Sequence, residues 1–138
     1  MIRRATPADA AEIAALEAVA AWHPWSEASV RSTLEARTTL AWLSAGQGYL
    51  LATAVAGEGE LLTVGVHPDA RRQGIASALL GALHDAWREH DVQQGFLEVR
   101  ATNGGARALY VAHGWEESGL RTGYYADGVD AVLMRWTP

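Results

Sequence analysis

The spacing of apolar and polar residues predicts that the chain begins with two helices. Thr6-Pro7-Ala8-Asp9 is typical of a helix N-terminus, because a capping hydroxyl precedes a proline at the first helical position and an acid in the first turn. Apolar spacing continues through Ile13, Leu16, Glu17 and Ala20, so we predict a first helix over about residues 7–21. Ser26 predicts the start of a second helix, which ends before Thr38.

The pattern then changes to short apolar runs that are typical of strands. Three such runs lie at residues 40–43, 49–55 and 61–66, and glycine-rich segments separate them. This arrangement predicts an antiparallel meander of three strands.

A long amphipathic helix follows, with apolar residues at helical spacing from Ile75 to Trp87. Residues 96–100 form a compact strand signal, and one helix between this strand and residues 61–66 predicts a right-handed parallel βαβ unit. The last predicted elements are a helix over about 105–112, which Gly114 ends, and strands at 116–121 and 130–136 around the Asp127-Gly128 turn. The predicted order is α α β β β α β α β β.

Composition predicts one domain over residues 1–138, because a chain of this length with 49% hydrophobic residues buries a sufficient core. The chain has no cysteine and no lysine, which excludes thiolate nucleophiles, cysteine-bound metals, Schiff bases and Walker A loops. A net charge of −5 argues against nucleic-acid binding and favours a basic partner. We expect no signal peptide and no membrane span, because no apolar run near the N-terminus or elsewhere is long enough. We expect no metal, because the five histidines form no ligand set and His84 and His90 lie on opposite helix faces. We also expect a cytoplasmic location.

A candidate phosphate site lies where a predicted strand meets the long helix. A helix N-terminus has unpaired N–H groups and favours anions, and Gly74 lets the backbone approach a ligand closely. The alternative is an ordinary basic turn that contains a glycine and binds no ligand. The candidate residues are Arg71, Arg72, Gln73, Gly74, Ile75, Ala76 and Ser77.

Two segments carry a family resemblance: residues 64–76, VGVHPDARRQGIA, and residues 103–115, NGGARALYVAHGW. They resemble the (R/Q)-x-x-G-x-(G/A) pyrophosphate loop and the N-x-x-A-x-x-L-Y-x-x-x-G-F segment of the GCN5-related N-acetyltransferase (GNAT) superfamily. The resemblance implies an α/β fold whose mostly antiparallel sheet contains a splayed parallel strand pair that holds acetyl-CoA. It further implies that Val64, Gly65, Val66 and Asn103 contact the pantetheine arm.

Three further segments indicate the acceptor. FLEVRATN at residues 96–103, HPWS at 23–26 and YYADGVDA at 124–131 resemble segments of bacterial ribosomal-protein-alanine and other N-terminal acetyltransferases. The implied acceptor is a protein N-terminal α-amine, with a ribosomal protein expected, and Trp25, Tyr124 and Tyr125 would line its site. For these three aromatic residues, core packing is the alternative. We expect a monomer.

The resemblance implies that Glu98 is the general base, acting through water, and that Tyr110 is the general acid that protonates the leaving sulfur. A carboxylate between Leu97 and Val99 is unusual, although Glu98 could also lie on a solvated face or pair with Arg100 or Arg107. Tyr110 could be an ordinary core tyrosine. With no convincing covalent nucleophile, direct attack in a ternary complex is the expected mechanism.

Two other functions stay open. One is an acetyltransferase for small-molecule amines, and the other is a regulatory module that binds acyl-CoA without catalysis. The presence of both Glu98 and Tyr110 argues against the regulatory module, which needs neither residue.

Overall fold

A single mixed sheet of seven strands, in the order β1-β2-β3-β4-β5-β7-β6, organises the chain in the computed structural model, which describes residues 1–138. The strands are β1 (Ile2–Arg4), β2 (Thr39–Ser44), β3 (Gly48–Val55), β4 (Glu58–Val66), β5 (Gln94–Arg100), β6 (Trp115–Arg121) and β7 (Ala131–Trp136). The helices are α1 (Ala10–Ala20), α2 (Glu27–Glu35), α3 (Ile75–Glu89) and α4 (Gly104–Ala112). None of these helices has the length and hydrophobicity needed to cross a membrane.

The predicted class, a mostly antiparallel sheet with one parallel pair and flanking helices, is confirmed. The predicted order was wrong at its start, where β1 precedes the first helix and pairs with β2. A strand of three residues is too short to show an alternating pattern, so only its pairing partner defines it. Pro7–Asp9 forms a 3₁₀ turn, in which the Asp9 carboxylate accepts a hydrogen bond from the Thr6 N–H at 2.8 Å.

Helices cover the sheet on two faces. The larger core packs α3 and α4 on one face, and the smaller core packs α1 and α2 on the other. Trp87 of α3 lies over the place where β4 and β5 pair, and a Cβ atom on Gly59 or Gly95 would come within 2.3 Å of its indole ring. Glycine at these two positions therefore lets the helix approach the sheet closely.

The parallel strands β4 and β5 pair only at their beginning, from Glu58↔Gln94 to Glu60↔Phe96. Immediately afterwards the β3–β4 register shifts, because Leu51 pairs with Thr63 whereas Ala52 pairs with Leu61. Leu62 is thus the extra residue of a β-bulge, which bends a strand away from its neighbour. The second halves of β4 and β5 diverge, and the clefts described next lie at this opening.

Candidate functional site

The first cleft, which we call the loop cleft, has a volume of about 600 Å³ and lies between the end of β4 and the start of α4. The residues predicted to bind the cofactor line it with one exception. They are Val64, Gly65, Val66, Arg71, Arg72, Gly74, Ile75, Ala76, Ser77 and Asn103. Gln73 belongs to the same loop and is exposed, but it does not line the cleft.

The loop over residues 71–77 presents a row of free backbone donors. None of its N–H groups donates a backbone–backbone hydrogen bond. Arg72 and Gly74 have φ values of 64° and 76°, a left-handed backbone that only glycine adopts without strain. Together with the N-terminus of α3, this backbone forms a concave site suited to phosphate groups.

The wall of the loop cleft opposite the α3 N-terminus is a free strand edge and a capping amide. Residues 63–66 of β4 pair with β3 but not with β5, so their other edge is open to a ligand. Asn103 caps α4, and its Oδ1 accepts a hydrogen bond from the Ala106 N–H at 3.1 Å. Asn103 lines the cleft, and this hydrogen bond leaves its side-chain NH₂ available as a donor.

Ser77, the last candidate of the loop, already has a partner. Its hydroxyl lies 3.1 Å from Nε2 of His113, at the end of α4. Behind it, buried His84 accepts a hydrogen bond from the Trp115 indole, and burial lowers the His84 pKa to about 4. His84 therefore supports the core as a neutral side chain.

The second cleft, which we call the aromatic groove, has a volume of about 360 Å³. Its walls come from Trp22, His23 and Trp25 on one side and from Glu98, Arg100 and Tyr125 on the other. It shares with the loop cleft the residues Ala20, Val64, Asn103, Ala106 and Tyr110. The two clefts therefore meet at Tyr110, so groups bound in them could react there.

Tyr110 is buried, with 7% of its surface exposed, yet it lines both clefts. Burial raises the pKa of its phenol to about 12, with a smaller contribution from Tyr125. The phenol therefore keeps its proton across the physiological pH range and remains a hydrogen-bond donor.

Glu98 lines the aromatic groove and keeps one third of its side chain exposed, at 33%. Its carboxylate lies 3.3 Å from Arg121 of β6. The expectation that it could pair with Arg100 or Arg107 was wrong, because salt bridges to Asp127 and Glu117 occupy those two arginines. A hydrogen bond to Glu98, and the charge of that carboxylate, raise the pKa of Tyr124.

The three aromatic residues predicted to line the acceptor site do not all lie in one place. Trp25 and Tyr125 line the aromatic groove, whereas Tyr124 lies outside it and contacts the Tyr125 ring edge to face. Both tyrosines lie in the connection between β6 and β7, and only Tyr125 lines the groove. Tyr124 instead lies beside Arg121, whose guanidinium is 5.4 Å from the centroid of its ring.

Sequence reasoning missed the contacts of Arg100. Its guanidinium, only 16% exposed, binds the Asp127 carboxylate at 2.5 Å. The same group lies 4.4 Å from the Trp22 ring centroid and 4.9 Å from that of Tyr125. Arg100 thus links the two walls of the aromatic groove, and no local pattern in the sequence indicates this.

The buried network of Glu17 was also not predicted, although the sequence carries a signal for it. It occupies an apolar position in the helical spacing of α1 and is fully buried. Its carboxylate accepts hydrogen bonds from the Trp25 N–H, the Tyr49 hydroxyl and the Thr63 hydroxyl.

Comparison with known proteins places this geometry in a family. The profile of the acetyltransferase (GNAT) domain matches residues 10–138. The [ribosomal protein bS18]-alanine N-acetyltransferase of Escherichia coli K12 is 36% identical over 117 residues, 80% of this chain and 79% of that protein. The crystal structure of the ribosomal-protein-S18-alanine N-acetyltransferase from Escherichia coli matches with a TM-score of 0.91 and 32% identity, over 99% of this chain and 92% of that one. Arabidopsis thaliana NAA60, solved in complex with acetyl-CoA, shares the fold with a TM-score of 0.87 and 18% identity, over 99% of this chain and 97% of that one.

Proposed function

The chain belongs to the GNAT family of acetyltransferases, and from this premise we propose that it moves the acetyl group of acetyl-CoA to the N-terminal α-amine of a protein. The observation that carries the proposal is the meeting of the two clefts at Tyr110. The loop cleft would bind the donor and the aromatic groove the acceptor, so transfer would occur directly in a ternary complex.

The residues of the loop cleft fit acetyl-CoA, which supplies an activated acetyl thioester when bound. The free N–H groups of residues 71–77, with Arg71 and Arg72, suit its phosphates. The open edge of β4 at Val64, Gly65 and Val66 offers backbone hydrogen bonds to the amide-containing pantetheine arm. The Asn103 side chain adds a donor to the same arm.

In the reaction, a bond forms between the amine nitrogen and the acetyl carbon, and the bond from that carbon to sulfur breaks. Glu98 takes the amine proton through a water molecule, which its partial exposure in the groove allows. Because a terminal α-amine has an ordinary pKa near 8, little assistance is needed at neutral pH. Tyr110, which stays protonated, donates first a hydrogen bond and then its proton to the departing sulfur.

A protein N-terminus is the acceptor class that the groove supports best, and a ribosomal protein is the proposed partner. The relative with 36% identity is named for acetylating the alanine of ribosomal protein bS18. The aromatic groove offers ring faces at Trp25 and Tyr125 beside Glu98, which suits a short peptide terminus. Residues 1–138 acting as one domain, a monomeric state, a cytoplasmic location and the absence of nucleic-acid binding remain predictions.

The test is release of free thiol from acetyl-CoA in the presence of short peptides. One peptide begins with a free alanine, and its matched control has a blocked α-amine and an internal lysine. We expect release only with the free terminus. Release with neither peptide, alongside acetyl-CoA binding, would contradict the proposal and favour a small-molecule acceptor or a regulatory module.

A further inference from the structure

The buried carboxylate of Glu17 has no role in the reaction proposed above, and its surroundings are unusual. It is 0% exposed, and the seven ion pairs of the structure leave it without a cationic partner. A buried charge is strongly unfavourable unless hydrogen bonds compensate for lost hydration. The buried position of the Glu17 carboxylate therefore requires compensating hydrogen bonds.

Three uncharged donors compensate this carboxylate, and they come from three separate segments. One oxygen accepts from the Trp25 backbone N–H at 3.1 Å, and the other accepts from the Thr63 hydroxyl at 2.9 Å and from the Tyr49 hydroxyl. Burial and the contact with Glu17 raise the pKa of the Tyr49 phenol, so it remains a donor. Glu17 thus joins α1, the segment between α1 and α2, β3 and β4 at one point.

These partners lie at the walls of both clefts. Trp25 and Thr63 line the aromatic groove. The Tyr49 hydroxyl packs under β4, where a Cβ atom on Gly65 would come within 2.4 Å of it, and Gly65 lines the loop cleft. The network around Glu17 therefore fixes the segment carrying Trp25 relative to the strand that would hold the donor.

We propose that Glu17 is a positioning residue that anchors residues 21–26 to β4 and thereby sets the width of the groove that receives the acceptor. This inference rests on the proposed function for its kinetic consequence. Binding of the acceptor depends on the anchored segment, whereas the free N–H groups of residues 71–77, in a separate loop, do not contact Glu17.

The first experiment compares Glu17→Gln with Glu12→Gln in steady-state kinetics with acetyl-CoA and an alanine-terminated peptide. Glu12 is a matched control, because it lies on the same helix and accepts a backbone N–H from Gly46 at 2.7 Å, away from both clefts. We expect Glu17→Gln to raise the peptide KM about tenfold, since a buried hydrogen bond to a charged group is weakened, with the KM for acetyl-CoA within about twofold. Unchanged peptide KM, or an equal change in both KM values, would overturn the proposal.

A second variant separates positioning from folding. The triple change Glu17→Leu, Tyr49→Phe and Thr63→Val replaces the three side chains of the network with apolar groups, so none of their buried hydroxyl or carboxyl groups is left without a partner. It leaves the Trp25 N–H without its acceptor. We expect this variant to show a raised peptide KM with wild-type acetyl-CoA affinity, and a wild-type peptide KM would contradict the role of Glu17.

Hydrogen exchange tests whether Glu17 anchors residues 21–26, and it needs no measurement of enzymatic activity. We expect amides of residues 21–26 to exchange faster in the triple variant, with no change over residues 71–77. Wild-type exchange at 21–26 would overturn the inference. If the wild-type protein acetylates no peptide, the proposed function fails instead, and exchange still decides whether Glu17 anchors the segment.

Discussion

The loop cleft and the aromatic groove meet at Tyr110 but are built in different ways. Most of the loop cleft comes from one continuous stretch, residues 64–77, and its ligand-facing groups are backbone N–H groups and a strand edge. The aromatic groove is assembled from side chains of α1, the following segment, β4, β5, α4 and the β6–β7 connection.

This difference indicates which substitutions should affect ligand binding in each cleft. A backbone site depends on conformation and tolerates side-chain variation, whereas a side-chain site depends on contacts such as the link from Arg100 to Trp22 and Tyr125. Substitutions in the aromatic groove should therefore alter acceptor kinetics selectively. Substitutions that strain the loop should alter donor affinity selectively.

The largest expected effect is that of Glu98→Gln, which removes the proposed base while keeping the size of the side chain. We expect turnover to fall about 100-fold or more, with the acetyl-CoA dissociation constant unchanged. Thiol release measures turnover, and a direct binding experiment measures the acetyl-CoA dissociation constant. Arg121→Gln is the control, because it removes the salt bridge at 3.3 Å and leaves the carboxylate, so turnover within about threefold of wild type is expected.

Tyr110→Phe tests the point where the clefts meet. Removing the hydroxyl should lower turnover about 100-fold, because the departing sulfur loses its proton donor. The pH profile of the wild-type enzyme provides a second measurement. We expect kcat/KM to rise as the acceptor amine deprotonates near pH 8. Because the pKa of Tyr110 is about 12, the phenol stays protonated and kcat/KM should remain level up to about pH 10. A fall in activity between about pH 8 and 9 would contradict this assignment.

Gly74→Ala tests the loop cleft through its backbone. Its φ of 76° costs an alanine about 1–2 kcal/mol, which favours relaxation of the free loop out of this conformation. Because acetyl-CoA would have to restore the strained backbone, we expect it to bind about tenfold more weakly while the peptide KM is retained. Gly81→Ala on α3 is the matched control, because it adds the same methyl group in open space within a helix and should leave affinity unchanged. Isothermal titration measures both, and equal affinities in the two variants would argue against a backbone site.

Arg100→Met should give the smallest of these effects. Losing the contacts to Trp22, Tyr125 and Asp127 loosens both walls of the aromatic groove, and we expect the peptide KM to rise about fivefold. Arg107→Met is the comparison, since it breaks a similar salt bridge, to Glu117, outside both clefts. If both variants showed the same peptide KM, Arg100 would have only a general structural role.

Much of the fold follows from local patterns. The helix at Ile75, the strand at residues 96–100 and the parallel unit that joins β4 to β5 were predicted correctly, because each shows its period over a full element. Strand β1 has only three residues and forms by pairing with β2, so no period reveals it. The start of β4 was placed late, because Gly59 reads as a turn residue but lies in the strand under Trp87.

Most of the loop cleft follows from local sequence, since residues 64–77 are contiguous and their strand, turn and helix cap are specified by neighbouring residues. The contacts of Glu98, Arg100 and Glu17 depend instead on how distant segments pack together. Their partners lie 23, 27 and up to 46 positions away along the chain, at Arg121, Asp127 and Thr63. The pairing of β5 and β6 with β7 brings Glu98 and Arg100 to their partners, and the packing of α1 on the sheet brings Glu17 to Thr63. Such long-range packing leaves no local signal.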